Sequence, residues 1–550
     1  MKWKLQNKTV IKSIPALHQV LLKNRSILDV ASFFDPPHPH DISLESVGIN
    51  SSEMNKTVDR LQLAKERAET VVVFGDYDAD GVCSTTILWQ ALHHLGLKAL
   101  PFIPHREKHG YGMSKLSLSD MIAQHHPDLV ITVDNGIVAH EPALLLKSQD
   151  IDLIITDHHT PEDTLPEAVA IVHSTQLCGT TVAWMISRTL APELAVNQLD
   201  LCGIGTIADQ VQLKDANRSF AAHGITALQK TNRPGLLELL RASDTMPADV
   251  STSTVNYAIA PRLNALGRLD HALDAVRLLC TTNPERAARL VARVSSLNTE
   301  RQALTAQALA TAVDKADGYS ADRVIVVASS EYHEGIIGLV AGRLVEKFHK
   351  PAVVISIGTQ TAKASARSVP GINIIKLIRL AREELLEVGG HPMAAGFSLL
   401  PEKIADFQLT LAKITEEHIS LEQLKPVIDV EAIIDFSLCT VETVESLSAF
   451  EPFGQGNSRP IFGLQKLKVL AVTTMGKENQ HLKLLVSDSS VGMSIECIGW
   501  GSGDGANNWQ TGSEVSLAGT LEINSWKNKH RVQLSIKDLA STSLVKESGE

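Results

Sequence analysis

The sequence lacks the features of membrane and secreted proteins. No apolar run approaches the roughly 18 residues of a membrane span, and Met1–Leu5 leads into no signal-like apolar block. The 6 cysteines lie far apart without a CxxC pair, which is typical of buried thiols in a reducing compartment rather than of disulfides or a zinc finger. These features predict a globular, cytoplasmic protein.

An excess of positive charge is also missing. The net charge is −11, which argues against a protein that coats nucleic acid non-specifically through overall positive charge. A polyanionic substrate stays compatible, because acids gathered around a metal contribute to that total and present a positive field once the metal is bound. The 550 residues, 44% of them hydrophobic, predict about three or four domains.

What the sequence does contain is a group of acids directly after a strand. Val71–Phe74 is typical of a buried parallel strand, and helical periodicity begins at Val82. Between them, Asp76, Asp78 and Asp80 occupy alternate positions, and their mutual repulsion is tolerable mainly when a multivalent cation neutralises them. The structural alternative is an aspartate-rich helix cap, but a cap needs only one carboxylate. The motif therefore predicts a metal site.

Acids and histidines recur after further predicted strands. Strands alternate with helices from Met54 to about residue 215, which indicates a parallel sheet wrapped by helices. The polar groups at these strand ends are Asp134 after Leu129–Val133, Asp157, His158 and His159 after Ile151–Thr156, and Asp209 after Leu201–Ala208. Any one of them would more often belong to a turn than to a ligand set. Together they are expected to meet, because parallel strands present their carboxyl ends at one edge of the sheet.

The types of these residues indicate which metal they would bind. Carboxylates with imidazoles and no thiolate form the ligand set of Mn²⁺ or Mg²⁺, with zinc less favoured. So many acids predict two cations about 3.5–4 Å apart, an arrangement that serves phosphoester hydrolysis. The predicted metal ligands are Asp76, Asp78, Asp80, Asp134, His158 and Asp209. Asp157 and His159 are expected to orient these ligands, and with His158 they form the predicted catalytic group.

Cationic segments in other predicted loops and strands are suited to phosphate. The candidates are Arg106 in one loop, and Arg262, Asn264 and Arg268 in a second, small-residue loop. Ser365 and Arg367 stand two apart on a predicted strand and so point to the same face, which allows a small oxyanion pocket. A surface turn and a capped helix with solvated charges are the structural alternatives for the two loops.

The motifs, in this order, resemble those of a known family. The segments that are similar to four motifs of the DHH phosphoesterase superfamily are Asp76–Gly81, Asp134, Asp157–His159 and Asp209. Gly389–Gly396 resembles the glycine-rich signature of the associated DHHA1 domain. Order, length and the match at Glu451–Asn457 are most similar to the bacterial branch that digests single-stranded DNA from the 5′ end. The resemblance extends over most of the chain, from about residue 50 to 540.

This resemblance implies roles for the cationic residues. It implies that Arg106, Ser365 and Arg367 hold a terminal 5′-phosphate. It also implies nucleic-acid contacts for Arg262, Asn264, Arg268, Gly390 and His391, the last two in an expected loop. The segment of residues 172–181 departs from the family pattern, so its role stays open.

The rest of the chain completes the expected α/β architecture. One long helix is predicted over Pro284–Asp317, followed by a second α/β unit. Five β-runs after residue 460 predict an OB-type barrel, on which Trp526 is a candidate for base stacking. The expected domains are a leader at 1–50, the parallel-sheet DHH domain at 51–215, a helical segment with the long helix at 216–320, the DHHA1 domain at 321–420, a linker at 421–460 and the OB-type barrel at 461–545.

The function expected from all this is metal-dependent hydrolysis. The resemblance implies a monomeric 5′-to-3′ exonuclease that releases 5′-mononucleotides from single-stranded DNA in recombination and repair, with a helicase and a single-strand-binding protein as partners. One alternative is a phosphodiesterase acting on oligoribonucleotides or cyclic dinucleotides. Another is a catalytically silent single-strand-binding scaffold, which is disfavoured because every acid is present.

Overall fold

The structure is a computed structural model that describes residues 1–110, 112–319, 322–488, 492–526 and 529–541. It divides into two compact units. The central unit comprises His38–Val211 and Ser219–Lys425, and the terminal unit comprises Met1–Pro37, Gln212–Arg218 and Pro426–Glu550. Among the helices described, none combines the length and apolar character that a membrane crossing requires.

The helices and strands are numbered here in chain order. The helices are α1 Ile14–Asn24, α2 Val30–Phe34, α3 Ser51–Glu66, α4 Ala79–His94, α5 Arg106–His109, α6 Lys115–His125, α7 His140–Lys147, α8 Gly179–Leu190, α9 Pro192–Val196, α10 Leu199–Ala208, α11 Asp215–Gln229, α12 Pro234–Arg241, α13 Thr252–Thr254, α14 Ala260–Leu269, α15 Leu273–Cys280, α16 Pro284–Ala316, α17 Ile337–Phe348, α18 Ile374–Leu380, α19 Ile404–His418 and α20 Val441–Leu447. The strands are β1 Lys2–Leu5, β2 Val10–Ile11, β3 Thr70–Phe74, β4 Lys98–Phe102, β5 Leu129–Thr132, β6 Asp152–Asp157, β7 Ala170–His173, β8 Ile325–Ser329, β9 Ala352–Ile357, β10 Ala362–Arg367, β11 Leu385–His391, β12 Ala394–Leu399, β13 Val427–Val430, β14 Ala432–Ile434, β15 Phe462–Met475, β16 His481–Ser487, β17 Ser494–Gly499, β18 Glu514–Trp526 and β19 Lys529–Ser541.

The first sheet of the central unit is parallel throughout, as the sequence predicts. Its strand order is β4-β3-β5-β6-β7. The inner strand β3 is buried along its whole length, because helices cover both faces, and this explains its β-branched, apolar sequence. The chain passes from β3 outward to β4 and then returns to β5 on the other side of β3. Doubly wound sheets bind their ligands at such a reversal of strand order, at the carboxyl ends of the strands.

Helix α16 leads from this region to the second sheet. Asn283 accepts a hydrogen bond from the amide of Arg286 and so caps the helix, which runs for 33 residues, or about 50 Å. Its later turns pack Ala308 and Ala312 into the apolar core beside β8 and α17. The second sheet has the order β11-β12-β10-β9-β8, in which only β8 and β9 are parallel.

The terminal unit contains a closed five-stranded barrel, which confirms the OB-type prediction. The strands β15, β16, β17, β19 and β18 pair in a ring, because β15 pairs with both β16 and β18. The start of the chain, expected as a leader, belongs to the same unit. Strand β2 pairs with β14, which continues the barrel sheet, and β1 pairs with β13.

Four local predictions were wrong. Arg106 was expected in a loop, but it is the first residue of the short helix α5. Leu201–Ala208 is not a strand, because it lies within α10, where its apolar residues are buried on every side of a helix. The segment from Ala260 to Arg268 is the helix α14 rather than a loop. Gly389–His391 is not a loop but the end of β11, paired with β12. Short apolar or small-residue runs carry too little periodicity to separate these structures.

Candidate active site

The loop of residues 75–78, here called the acid loop, joins β3 to α4. The Asp78 carboxylate caps α4, because Oδ1 accepts hydrogen bonds from the amides of Asp80 at 2.9 Å and Gly81 at 3.0 Å. Asp76 Oδ1 accepts from the amide of Tyr77 at 2.7 Å. Gly81 must lack a side chain, since a Cβ there would lie 2.6 Å from the Asp76 carbonyl oxygen. The loop is therefore compact, and it places its carboxylates at the reversal of strand order.

Asp80 is held by the beginning of α8. Its carboxylate accepts hydrogen bonds from the amide of Gly179 at 2.7 Å, the amide of Thr180 at 2.9 Å and the hydroxyl of Thr180 at 2.5 Å. These first amides carry the positive end of the helix dipole. The sequence left the role of residues 172–181 open, and the structure shows that this segment fixes the position of Asp80.

Asp134 follows β5 in a left-handed backbone conformation, with φ at 63°. Its carboxylate is buried, and Oδ1 has no hydrogen-bond partner within the described part of the chain. The same is true of His158 Nε2, which lies 3.0 Å from that oxygen without the alignment of a hydrogen bond. Two neighbouring buried polar atoms without hydrogen-bond partners destabilise the folded protein unless a ligand binds to them.

Asp157 binds the two histidines that follow it. Its Oδ1 accepts hydrogen bonds from the amide of His158 at 2.7 Å and from Nδ1 of His159 at 2.7 Å, while Oδ2 accepts from the amide of Ile137 at 2.9 Å. Burial lowers the pKa of His159, but the hydrogen bond to Asp157 and the charges of Asp157, Asp209 and Asp76 together outweigh burial and raise that pKa to about 9. His159 is therefore protonated at neutral pH, and its charge offsets part of the surrounding negative charge.

Asp209 reaches the site from the end of a helix rather than of a strand. It is the C-cap residue of α10, and its Oδ2 lies 3.8 Å from His158 Nδ1. Helix α10 approaches closely because Gly205 has no side chain, since a Cβ there would lie 2.1 Å from the Thr180 hydroxyl oxygen.

The donor atoms meet in three overlapping groups. Within each group one atom per residue lies within 4.8 Å of all the others. The groups are Asp76, Asp78 and Asp134; Asp80, His158 and Asp209; and Asp134, Asp157, His158 and His159. The structure thus brings together all six residues predicted as metal ligands and the two expected to orient them.

Burial and charge repulsion raise the pKa values of carboxylates at this site. Burial, followed by the charge of Asp78, raises the pKa of Asp76 to about 7. Burial, followed by the charge of Asp80, raises the pKa of Asp209 to about 9 and that of Asp134 well above its ordinary value. Carboxylates that resist ionisation in this way, together with the unsatisfied atoms of Asp134 and His158, fit divalent cations bound by oxygen and imidazole.

A group of arginines forms a second site in the central unit. Arg367 Nη1 donates to the Ser365 hydroxyl at 3.0 Å, so these two residues share a face as predicted. Burial, followed by the charge of Arg106, lowers the pKa of Arg367. Burial, followed by the charges of Arg106 and Arg301, lowers the pKa of Arg268 to about 10. None of these four arginines forms an ion pair with an acid in the described part of the chain, so the group, here called the arginine pocket, is suited to an anion.

The arginine pocket adjoins the acid loop. The Arg106 guanidinium lies 5.1 Å from the centroid of the Tyr77 ring, and Tyr77 stands between Asp76 and Asp78. Asn264 Oδ1 accepts a hydrogen bond from the amide of Ala79 at 2.7 Å, so α14 holds the acid loop in place.

Sequence profiles of known families match most of the chain. The DHH family N-terminal domain matches residues 70–206, the DHHA1 domain matches residues 301–417 and the RecJ OB domain matches residues 430–538. The single-stranded-DNA-specific exonuclease RecJ of Escherichia coli (strain K12) is 30% identical over 528 residues, which cover 89% of this chain and 90% of that protein.

The chain belongs to the RecJ family. RecJ of Bacillus subtilis (strain 168) is 36% identical over 499 residues, and these cover 88% of this chain but 63% of the Bacillus protein. The crystal structure of RecJ from Thermus thermophilus in complex with Mn²⁺ superposes with a TM-score of 0.83 at 26% identity, covering 98% of this chain and 79% of that one.

The remaining predicted contacts of this RecJ-family chain lie in different settings. Arg262 donates to the carbonyls of Ala258 at 2.8 Å and Ala242 at 3.2 Å, so it already supports α14. His391 is exposed at the end of β11. Gly390 has a φ of 140°, and a Cβ there would lie 2.4 Å from the Ala394 carbonyl oxygen. The side chain of Trp526 lies outside the described residues.

Sequence reasoning missed two contributors to these RecJ sites. Thr180 gave no signal, because a threonine near a helix start is ordinarily only a cap. Arg301 stands in the polar part of α16, where charged residues are usually solvated. Only the packing of α16 against α14 brings it to the arginine pocket.

Proposed function

We propose that this RecJ-family chain is a metal-dependent exonuclease that hydrolyses single-stranded DNA from the 5′ end and releases 5′-mononucleotides. The observation that carries the proposal is the convergence of Asp76, Asp78, Asp134, His158 and Asp209 beside the arginine pocket. The RecJ relatives are named single-stranded-DNA-specific exonucleases, and solved RecJ structures hold Mn²⁺ or Mg²⁺.

The acids and His158 would hold two divalent cations, Mn²⁺ or Mg²⁺. Cations there supply Lewis-acid chemistry, since they offset phosphate charge and make water a stronger nucleophile at neutral pH. Asp157 orients both histidines through its hydrogen bonds, and Asp80, fixed by α8, sets the position of the acid loop. These hydrogen bonds keep the metal-ligand atoms in place before the substrate binds.

The arginine pocket would set the polarity of digestion. Arg106, Ser365 and Arg367 would bind the terminal 5′-phosphate, since guanidinium groups form strong, directed hydrogen bonds to phosphate oxygens. Because Arg106 stacks near Tyr77, which belongs to the acid loop, a phosphate held there stands beside the metal centre. The bond to be cut would then lie next to the terminal nucleotide. Substrate has to be single-stranded, so we also propose a helicase and a single-strand-binding protein as partners, with the cytoplasm as the location.

The test is digestion of matched strands with Mn²⁺ or Mg²⁺. We expect a 5′-phosphorylated single strand to lose 5′-mononucleotides first, and a 3′-labelled strand to shorten progressively from its unlabelled end. Arg367→Ala should abolish the preference for a 5′-phosphate over a 5′-hydroxyl. Arg343→Ala is the matched control, because Arg343 lies exposed on α17 and pairs with Glu346. Release of 3′ nucleotides first would contradict the proposed polarity, and a preference for dinucleotides would favour a small-substrate phosphodiesterase.

A further inference from the structure

An exposed tyrosine stands at the start of the helix that supports the acid loop. Tyr257 is 82% exposed, and no other phenylalanine, tryptophan or tyrosine described in the central unit is comparably exposed. It lies in a π-helical turn, Val255–Ile259, which runs directly into α14. π-Helical turns are rare, and they frequently occur at functional sites. An aromatic ring left in solvent at such a turn needs an explanation.

Tyr257 precedes α14, and two residues of that helix lie at the sites already described. Arg268 lies in the arginine pocket, where its Nη1 donates to the Gly335 carbonyl at 3.0 Å, and Asn264 binds the acid loop. At about 1.5 Å per residue, Asn264 lies about 6 Å from Arg268 along the helix, and Tyr257 about 10 Å beyond Asn264. Read backwards from Arg268 through α14 and the π-helical turn before it, the order is therefore arginine pocket, metal centre and exposed aromatic ring.

The π-helical turn is also fixed to the metal centre. Gln210 follows Asp209 directly, and its Nε2 donates to Asn256 Oδ1 at 3.0 Å and to the Ile207 carbonyl at 2.9 Å. Gln210 has a left-handed φ of 60°, so the chain bends sharply there. The residue before Tyr257 is thereby tied to the segment that presents Asp209, which gives the ring a defined position relative to the metal ligands.

We infer that Tyr257 is a stacking platform for one base of the DNA strand on the 3′ side of the bond that is cut. The inference rests on the proposed function. A strand whose 5′-phosphate lies in the arginine pocket passes the metal centre next and then reaches Tyr257. Every base has an aromatic face, so stacking on tyrosine holds a strand without reading its sequence. Tyr257 would thus keep the strand aligned through successive cuts.

The first experiment measures binding without turnover. A fluorescent, 5′-phosphorylated oligonucleotide is titrated with wild type, Tyr257→Ala, Tyr257→Phe and Tyr257→Trp in metal-free buffer, followed by anisotropy. We expect Tyr257→Ala to weaken binding about tenfold and both aromatic variants to bind as wild type. Leu409→Ala is the matched control, because Leu409 is 66% exposed on α19. Wild-type affinity in Tyr257→Ala would overturn the inference.

The second experiment removes the DNA base that would stack on Tyr257 and leaves the tyrosine in place. Single abasic nucleotides are placed in turn along the oligonucleotide, with the terminal nucleotide as internal reference. Wild type should lose affinity at one position downstream of the cut, and Tyr257→Ala should show no further loss at that position. If the abasic nucleotide and the Tyr257→Ala change each reduced affinity independently of the other, the stacking role of Tyr257 would be overturned. If wild type fails to digest the strands while these binding results hold, the exonuclease proposal fails and the platform stands.

Discussion

Asp134 combines a left-handed backbone with a buried, repelled carboxylate. Asparagine tolerates that backbone conformation and has nearly the same shape, so Asp134→Asn removes the charge alone. We expect hydrolysis with Mn²⁺ to fall at least about 100-fold, because a metal ligand is lost. We also expect the melting temperature of the metal-free protein to rise, because asparagine cannot ionise and so avoids the cost that burial and the neighbouring acids impose on the Asp134 carboxylate. Digestion assays and thermal unfolding with and without Mn²⁺ measure both effects.

Asp150 provides the matched control for this change. It also has a positive φ, 56°, and it is exposed near the sheet end away from the acid loop. Asp150→Asn should leave activity and melting temperature as in wild type. Full activity in Asp134→Asn would contradict the assignment of Asp134 as a ligand.

The raised pKa values at the metal centre make its behaviour depend on pH. In the folded, metal-free protein Asp76 and Asp209 hold protons up to a pH of about 7 and about 9, whereas in the unfolded chain they lose them near their ordinary pKa. The folded state therefore binds more protons in this window, so these groups reduce stability as pH rises. We expect the melting temperature of the metal-free protein to fall from about pH 5 to 8, and the Mn²⁺-induced increase in melting temperature to grow over the same range.

Proton release on Mn²⁺ binding tests the raised pKa values of these carboxylates directly. Mn²⁺ binding should displace protons from these carboxylates at neutral pH, which calorimetry in buffers of different ionisation enthalpy detects. Binding without proton release would contradict the raised pKa values.

At the scale of single elements, the beginning of α8 decides the geometry of the acids. A Cβ on Gly179 would lie 2.5 Å from Asp134 Oδ1 while the Gly179 amide binds Asp80. We expect Gly179→Ala to displace these carboxylates and lower activity about 10- to 100-fold, with weaker Mn²⁺ binding. Activity and Mn²⁺ affinity are measured side by side.

Helix α17 offers the matched control. Gly342 has open space where a Cβ would stand, so Gly342→Ala should keep full activity and gain about 0.5–1 kcal/mol in free energy of unfolding. Unchanged Mn²⁺ affinity in Gly179→Ala would show that α8 does not set the ligand positions.

At the scale of the whole molecule, the start of the chain is part of the terminal unit. Arg25 Nη2 lies 3.0 Å from Glu431 Oε1 and donates to the Ser458 carbonyl at 2.9 Å, and both charged side chains are about nine-tenths buried. Arg25→Ala leaves Glu431 buried without its cation, so we expect a loss of about 3 kcal/mol in the free energy of unfolding of this unit. Urea unfolding followed by tryptophan fluorescence measures it, because Trp3 and Trp509 are among the tryptophans of this unit.

Lys23→Ala is the control, because Lys23 is exposed on α1. The Mn²⁺-induced stabilisation of the central unit should persist in both variants. An unchanged urea midpoint in Arg25→Ala would contradict a structural role for the start of the chain.

The sequence alone determined the parallel sheet, its acid motifs, the long helix and the five barrel strands. These features are local: a buried strand is apolar along its length, and the polar residues that follow it stand at a predictable edge. Ser365 and Arg367 were predictable for the same reason, since residues two apart on a strand share a face.

Only the tertiary structure decided how distant segments complete the sites. Asp209 comes from a helix, and a buried helix without a polar face has no periodicity that separates it from a strand. Thr180 holding Asp80, Arg301 joining the arginine pocket and β1 pairing with β13 depend on contacts between residues far apart in the chain. The local sequence pattern does not specify such contacts, because they form only when separate helices and strands pack against one another.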